Sequence, residues 1–415
     1  MSAAAPQAAR SRAFTPLTIG PLTLRNRFIK SATNEGSAKG GTPSKRLVQF
    51  HEAIAAGGVG MTTVAYCAVA PDGRTFADQI TLDEEAVRHL KVLTAAVHRH
   101  GAAAMAQITH GGCFTFLAPK DTPRPLSASG GFNKVGIMSG MWLRQRMSEA
   151  DMERIAAEFV RGARLAQSAG FDAVEIHMGH GYLLSQFLSP LYNRRRDAYG
   201  GDLERRVRFP LLVLQRVLDA VGKELAVVCK LSVTEGVRGG NSAAEGARIG
   251  QALERGGAHL LVLSGGLNIE SITTMFGSSF PKENRTHVGN PLVATAMFIQ
   301  QLTEPKNVQF RELYQLENSR QVRAATSLPL AYLGGVKSLA NVETLLAEGF
   351  DAIALGRVLI HQADLINAFA SGRQLESGCT SCNRCVAMMY TPGGTSCVLG
   401  EPGDAALNST PAAAP

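Results

Sequence analysis

The sequence predicts an α/β protein built as a closed (β/α)8 TIM barrel, and three observations predict it. A unit recurs along the chain: an amphipathic helix, then Gly, then a short strand. The strands are apolar almost throughout, as expected of a parallel sheet covered on both faces. Eight of them can be counted, and eight strand–helix repeats argue for closure over the rival, a doubly wound open sheet.

The elements run in order as follows. The first strand is read at Arg27–Thr33. Gly57-Gly58 introduces Val59–Tyr66, Gly101 introduces Ala102–Ile108, and Gly170 introduces Phe171–His177. Gly222 precedes Leu225–Ser232, Gly256-Gly257 precedes Ala258–Ser264, Leu328–Leu333 is the seventh strand, and Gly349 precedes Phe350–Leu355. Gly suits these joints because it accepts the left-handed conformation that ends a helix. Among the helices, Asp83 caps Glu84–His100, and Ser148-Glu-Ala-Asp151 reads as a capping box for a helix to Ala169. Leu203–Val221, Ala243–Arg255 and Ser338–Glu348 follow. Two connections are long, Gly111 to Met147 after the third strand and Gly265 to Ser327 after the sixth. Both belong at the catalytic face, where long loops act as lids, binding loops or small subdomains.

The domain reading is a disordered tail over 1–13, a barrel over 14–372, a Cys-rich segment over 373–400 and a second disordered tail over 401–415. Met1–Thr15 has no apolar core, so it does not read as a secretory signal. No apolar run reaches about 18 residues, so neither a membrane span nor a membrane partner is expected. The net charge of +8 comes without any basic run interleaved with aromatics, which favours phosphate-bearing ligands over nucleic acid. The cysteines are odd in number, seven, and four of them crowd near the C-terminus. That is not a secreted disulfide framework, so a reducing, cytoplasmic location is expected.

In a barrel, active-site residues come from the C-terminal ends of strands. Those ends carry Lys30-Ser-Ala-Thr-Asn34, Tyr66-Cys67, Gln107 and His110, then His177 with His180 and Tyr182 just beyond, and Lys230. The ring is rich in hydrogen-bonding groups and poor in carboxylates, which disfavours a two-carboxylate glycosidase or a His-plus-acid metal site. His177, His180 and Tyr182 together offer two donors for an oxyanion and one proton donor beside them. Gly334-Gly335 and Gly356-Arg357 open helices after strands seven and eight, where backbone N–H groups and an arginine hold phosphate.

The sequence resembles the Old Yellow Enzyme family of flavin-dependent ene-reductases over about residues 14 to 372. Leu24-Arg-Asn-Arg-Phe-Ile-Lys-Ser-Ala-Thr is similar to its first strand, and Gln107-Ile-Thr-His-Gly-Gly to its third-strand motif. The most specific match runs from Val174-Glu-Ile-His-Met-Gly-His-Gly-Tyr through Asn193-Arg-Arg-Arg-Asp-Ala-Tyr-Gly-Gly to Glu204-Arg-Arg-Val-Arg-Phe. The resemblance implies non-covalent FMN reduced by NADH or NADPH, and an α,β-unsaturated carbonyl compound as substrate. It implies that Gln107 bonds the pyrimidine end of the flavin and that Lys230 lies near its N1 and O2. The backbone of Ala32 and Thr33 would lie against the ring system, and Gly335, Gly356 and Arg357 would hold the phosphate. His177 and His180 would bind the substrate carbonyl, and Tyr182 would protonate the α-carbon. The chain departs from the family pattern at Ala32, Asn34 and Cys113, and these departures bear on redox potential and substrate preference.

Cys379-x2-Cys382-x2-Cys385-x11-Cys397 has the spacing of a ligand set for a [4Fe–4S] cluster or zinc, and free thiols are the third reading. It resembles a variant of the cluster motif in the 2,4-dienoyl-CoA reductase and trimethylamine dehydrogenase branch. A dienoyl-CoA reductase-like barrel with a cluster is therefore one alternative function. A flavin-binding redox sensor without turnover is the other.

Overall fold

The computed structural model describes residues 11–117, 124–281, 295, 298, 308–389, 391 and 393–399, and the account below concerns these. The expected tails over 1–10 and 401–415 lie outside them. Eight parallel strands close a barrel: β1 (Phe28–Lys30), β2 (Met61–Ala68), β3 (Ala103–Thr109), β4 (Ala173–Met178), β5 (Ala226–Ser232), β6 (Leu260–Ser264), β7 (Leu330–Leu333) and β8 (Ala352–Leu355). Each pairs with the next, and β8 closes onto β1 through Ala354 beside Ile29. All eight predicted strands are present, with shifted ends.

Seven helices wrap the barrel: α1 (Lys45–Ala56), α2 (Glu84–His98), α3 (Glu149–Ser168), α4 (Arg208–Val221), α5 (Ala243–Arg255), α6 (Leu316–Ala325) and α7 (Leu339–Ala347). Short helices Arg357–His361 and Leu365–Ala370 follow β8. The expected caps form. Asp83 accepts from Ala86 N–H, and Ser148 with Asp151 makes a complete capping box. The single helix read over Leu203–Val221 is two, Leu203–Arg206 and α4, joined at Val207. The loop after β3 carries a three-stranded sheet of Leu126–Ser127, Gly131–Phe132 and Leu143–Arg146.

The core has two parts. The larger lies between strands and helices, and the smaller fills the barrel with Ile29, Met61, Met105, Ala173, Ala226, Val228, Leu260 and Val262. A hairpin of Leu17–Ile19 and Leu22–Leu24, which the periodicity does not reveal, adds Leu17, Ile19 and Leu24 to this inner cluster and closes that end of the barrel. The ordered chain begins before residue 14: Ser11 accepts from Ala13 N–H at 3.0 Å and Ala13 is fully buried. At the opposite end, the Cys-rich segment straps onto the loops. Ser377 N–H donates to Lys337 C=O at 2.8 Å, and Thr395 N–H donates to Glu35 C=O at 2.7 Å. Among the described residues, no helix is long and apolar enough to cross a membrane.

Candidate active site

Strand alternation decides which polar residues enter the barrel. With Ala226 and Val228 inside, Lys230 is inside; with Ala173 inside, so are Glu175 and His177. Register sets Glu175 beside Gln107, and His177 beside Lys230. Gln107 Nε2 donates to Glu175 Oε2 at 2.5 Å, and Lys230 Nζ reaches across the barrel to Ser31 Oγ at 3.0 Å. Burial lowers the Lys230 pKa, and the Glu175 carboxylate pulls part of it back. Lys30 does not join this ring. Ile29 faces inward, so Lys30 points out against α1, where it pairs with Glu35 and sits 5.2 Å from the Phe50 ring centroid.

The turn after β4 is built to bring two imidazoles together. His180 adopts φ +62°, and Gly181 follows at +84°. A Cβ on Gly179 would lie 2.9 Å from Ser232 Oγ, the oxygen that accepts from His180 N–H at 3.0 Å. His177 Nδ1 accepts from Gly179 N–H at 3.2 Å, so its ring proton is on Nε2. That nitrogen is 3.1 Å from His180 Nδ1, which then accepts, so His180 carries its proton on Nε2 and donates to Ser264 Oγ at 2.8 Å. Both rings are neutral. Burial, reinforced by His180 and Lys230, holds His177 well below the usual range, and burial with Lys230 pushes His180 down to about 3. The pair therefore carries two N–H donors in series rather than two cations.

Tyr182 precedes the short helix Leu183–Leu188, and its ring centroid is 4.6 Å from that of His177. Burial raises its pKa, and hydrogen bonds involving Tyr66 and Asn268 oppose that rise. Tyr66 and Phe114 stand 5.3 and 5.4 Å from it.

These groups line one cavity of about 1470 Å³. Its walls include Ala32, Thr33, Gln107, His177, His180, Tyr182, Lys230, Gly335, Gly356 and Arg357, so the residues expected at flavin and substrate share one cavity, while Lys30, Cys67 and His110 from the strand ends lie outside its lining. At Gly356 an added Cβ would meet only Thr33, at 3.8 Å, whereas at Gly335, with φ +77°, it would come within 2.8 Å of Leu313 N. Arg357 also ties loops together, donating to Asn383 Oδ1 at 2.5 Å and to Phe276 C=O at 2.8 Å. The Cys-rich segment forms part of the same wall through Ser381, Cys385 and Met389. Burial pushes the Cys385 thiol up to about 12; Arg357 opposes this, and the thiols of Cys379, Cys397 and Cys382 add to it. Cys397 Sγ lies 3.3 Å from His361 Nδ1. As placed, no three His, Cys, Asp or Glu side chains among the described residues form a metal site.

Sequence reasoning missed Glu175, Ser264 and Asn268. Ser264 ends the sixth strand, so the strand-end rule reaches it. Glu175 needed the alternation of β4, which its apolar neighbours obscure.

Comparison with known proteins points one way. A family model described as NADH:flavin oxidoreductase / NADH oxidase matches residues 12–376. The 4,4'-dithiodibutanoate disulfide reductase of Rhodococcus erythropolis is 38% identical over 93% of this chain and 94% of its own. The NADH oxidase of Thermoanaerobacter brockii is 32% identical over 89% of this chain, which spans only 52% of that protein. An old yellow enzyme homologue from Zymomonas mobilis superimposes with a TM-score of 0.69 at 20% identity, over 93% of this chain and 98% of its own, and supports the fold alone.

Proposed function

The chain belongs to the NADH:flavin oxidoreductase / NADH oxidase family and is an FMN-dependent NAD(P)H oxidoreductase; from that premise we propose that it reduces activated C=C bonds of α,β-unsaturated carbonyl compounds. The residues present suit the flavin. Lys230 offers a buried cation, Gln107 a buried amide, and Gly356 a stretch of backbone whose side-chain position is open to the cavity. Ala32, Thr33, Gln107 and Lys230 would hold the ring system, and Gly335, Gly356 and Arg357 the phosphate, with Arg357 sharing its donors with Asn383 and Phe276. Bound FMN supplies hydride exchange, accepting from reduced nicotinamide and giving to the second substrate.

The observation that carries the reading is the grouping of His177, His180 and Tyr182 in that cavity. A carbonyl oxygen at the pair competes with His180 Nδ1 for the His177 Nε2 proton and with Ser264 for the His180 Nε2 proton. Neutral donors held in fixed positions stabilise the enolate-like charge that develops on that oxygen. Tyr182 holds its proton on Oη and delivers it to the α-carbon, leaving the bonding pair on the phenolate. Lys230 sets a positive charge where a reduced flavin gains a negative one. Tyr182→Phe is expected to slow enone reduction by about 10²-fold or more while leaving flavin reduction by NAD(P)H near wild type. Stopped-flow measurement of both half-reactions checks this, and equal losses in the two would refute the proton-donor role.

The disulfide reductase relative favours a second reading, because the two chains match along nearly their whole lengths. An organic disulfide would take a hydride equivalent and one proton to give two thiols, with Tyr182 protonating the departing thiolate. Parallel assays with enones and with linear dicarboxylate disulfides distinguish the two.

A further inference from the structure

We propose that Tyr66 is a positioning residue for the Tyr182 phenol, accepting its proton as a hydrogen bond at rest and turning to donate to the phenolate once that proton has left. The inference rests on the reading of Tyr182 as the proton donor. It comes from the direction of a hydrogen-bond chain that the mechanism above does not use.

The chain is anchored at Gln79, which is buried, lines the cavity and has both ends of its amide fixed by main chain. Its Oε1 accepts from Thr75 N–H at 2.6 Å, and its Nε2 donates to Tyr66 C=O at 3.2 Å. The Thr75 hydroxyl lies 3.1 Å from the same Oε1, which can only accept, so Thr75 donates. A hydroxyl has one proton to give. In the 2.6 Å contact between Tyr66 Oη and Thr75 Oγ1, the donor is therefore Tyr66. The Tyr66 oxygen is left with lone pairs alone, so towards the protonated Tyr182 phenol, whose ring stands 5.3 Å from its own, it can only accept, while its effect on Tyr182, lowering the pKa that burial raises, is that of a donor to the phenolate. At rest the Tyr182 proton points at Tyr66.

Proton transfer reverses that contact. The Tyr182 O–H bond breaks, the new bond forms on the substrate atom, and the electron pair stays on Tyr182 Oη. A rotation about the Tyr66 C–O bond takes its proton from Thr75 to the phenolate. Among the described residues, the ionisable groups facing Tyr182 are Tyr66 from β2 and His177 from β4, the latter neutral, with Phe114 and Asn268 beside them. The phenolate is favoured, among the described residues, by hydrogen bonds involving Tyr66 and Asn268. Tyr66 also packs on Phe76, which keeps its ring in place whichever way the hydroxyl turns.

The chain makes a prediction of sign. Tyr66→Phe removes the donor to the phenolate and should raise the Tyr182 pKa by about one pH unit, slowing proton-dependent acceptor reduction about tenfold. Thr75→Val frees the Tyr66 proton for Tyr182 at all times and should move both readouts the opposite way, while Thr75→Ser should restore wild-type behaviour. The test uses FMN-loaded protein labelled with fluorotyrosine, with Tyr182→Phe assigning the resonance. Fluorine NMR reads the Tyr182 ionisation directly. Stopped flow compares an enone with ferricyanide, which takes no proton and should be reduced at the wild-type rate by every variant. Opposite shifts for the Tyr66 and Thr75→Val variants support the proposal. Shifts of the same sign, no shift, or equal losses with ferricyanide overturn it. If Tyr182→Phe leaves enone reduction intact, the proton-donor reading fails instead, and the NMR titration still reads whether Tyr66 governs the phenol.

Discussion

At the scale of residues, charge inside the barrel is balanced by few partners, so single substitutions act strongly. Lys230 and Glu175 are both fully enclosed and each moderates the burial of the other. Lys230→Met leaves that carboxylate without its cation, and a loss of about 3 kcal/mol or more is expected by urea unfolding. Lys230→Met with Glu175→Gln should regain most of it. His180 has the opposite problem, because its native pKa near 3 lies below the ordinary value of about 6.5 in an unfolded chain. Between those values the unfolded state binds a proton that the native ring refuses, so this histidine costs stability increasingly as pH falls from about 6.5 towards 3. His180→Asn should therefore lose less Tm than the wild type between pH 7 and about 4.5, measured by calorimetry. His177, His180 and Tyr182 were legible in the sequence because they fall within six residues of one strand end. The proton directions were not, since they depend on Gly179, Ser232 and Ser264, brought in by the turn and by two other strands.

At the scale of elements, the turn after β4 is the most tightly specified. Gly179→Ala places a methyl 2.9 Å from Ser232 Oγ, which is held by both His180 N–H and Gly266 C=O. Enone reduction should fall at least tenfold while the flavin content, read by absorbance, stays near wild type. Ser148→Ala removes half of the α3 capping box and should cost about 1 kcal/mol without altering catalysis. The Gly joints made the strands readable, and the caps made α2 and α3 readable. The Gly57-Gly58 joint implied a helix before it but gave α1 no bounds; its inner face carries His51 beside Leu47 and Ile54. The hairpin at Leu17–Leu24 was missed because strands of three residues are too short for alternation to register.

At the scale of the whole molecule, eight parallel strands put every candidate group at one end, and this much followed from counting repeats. The path of the Cys-rich segment did not, because its docking rests on backbone contacts at Lys337 and Glu35 that no side-chain pattern announces. That segment contributes Ser381, Cys385 and Met389 to the cavity and is tied to Arg357 through Asn383. Truncation after Ser377 should release flavin more readily, seen as a weaker FMN Kd by fluorescence quenching, while circular dichroism retains the barrel signal.

The hairpin carrying Leu17, Ile19 and Leu24 seals the far end of the barrel with apolar side chains. Among the described residues, this leaves the opposite end of the barrel as the way in to the reactive groups. Nicotinamide and oxidant must take turns at it, and a late-departing first visitor blocks the second. Double-reciprocal plots should give parallel lines, and either substrate in excess should inhibit by occupying the form of the enzyme meant for its counterpart.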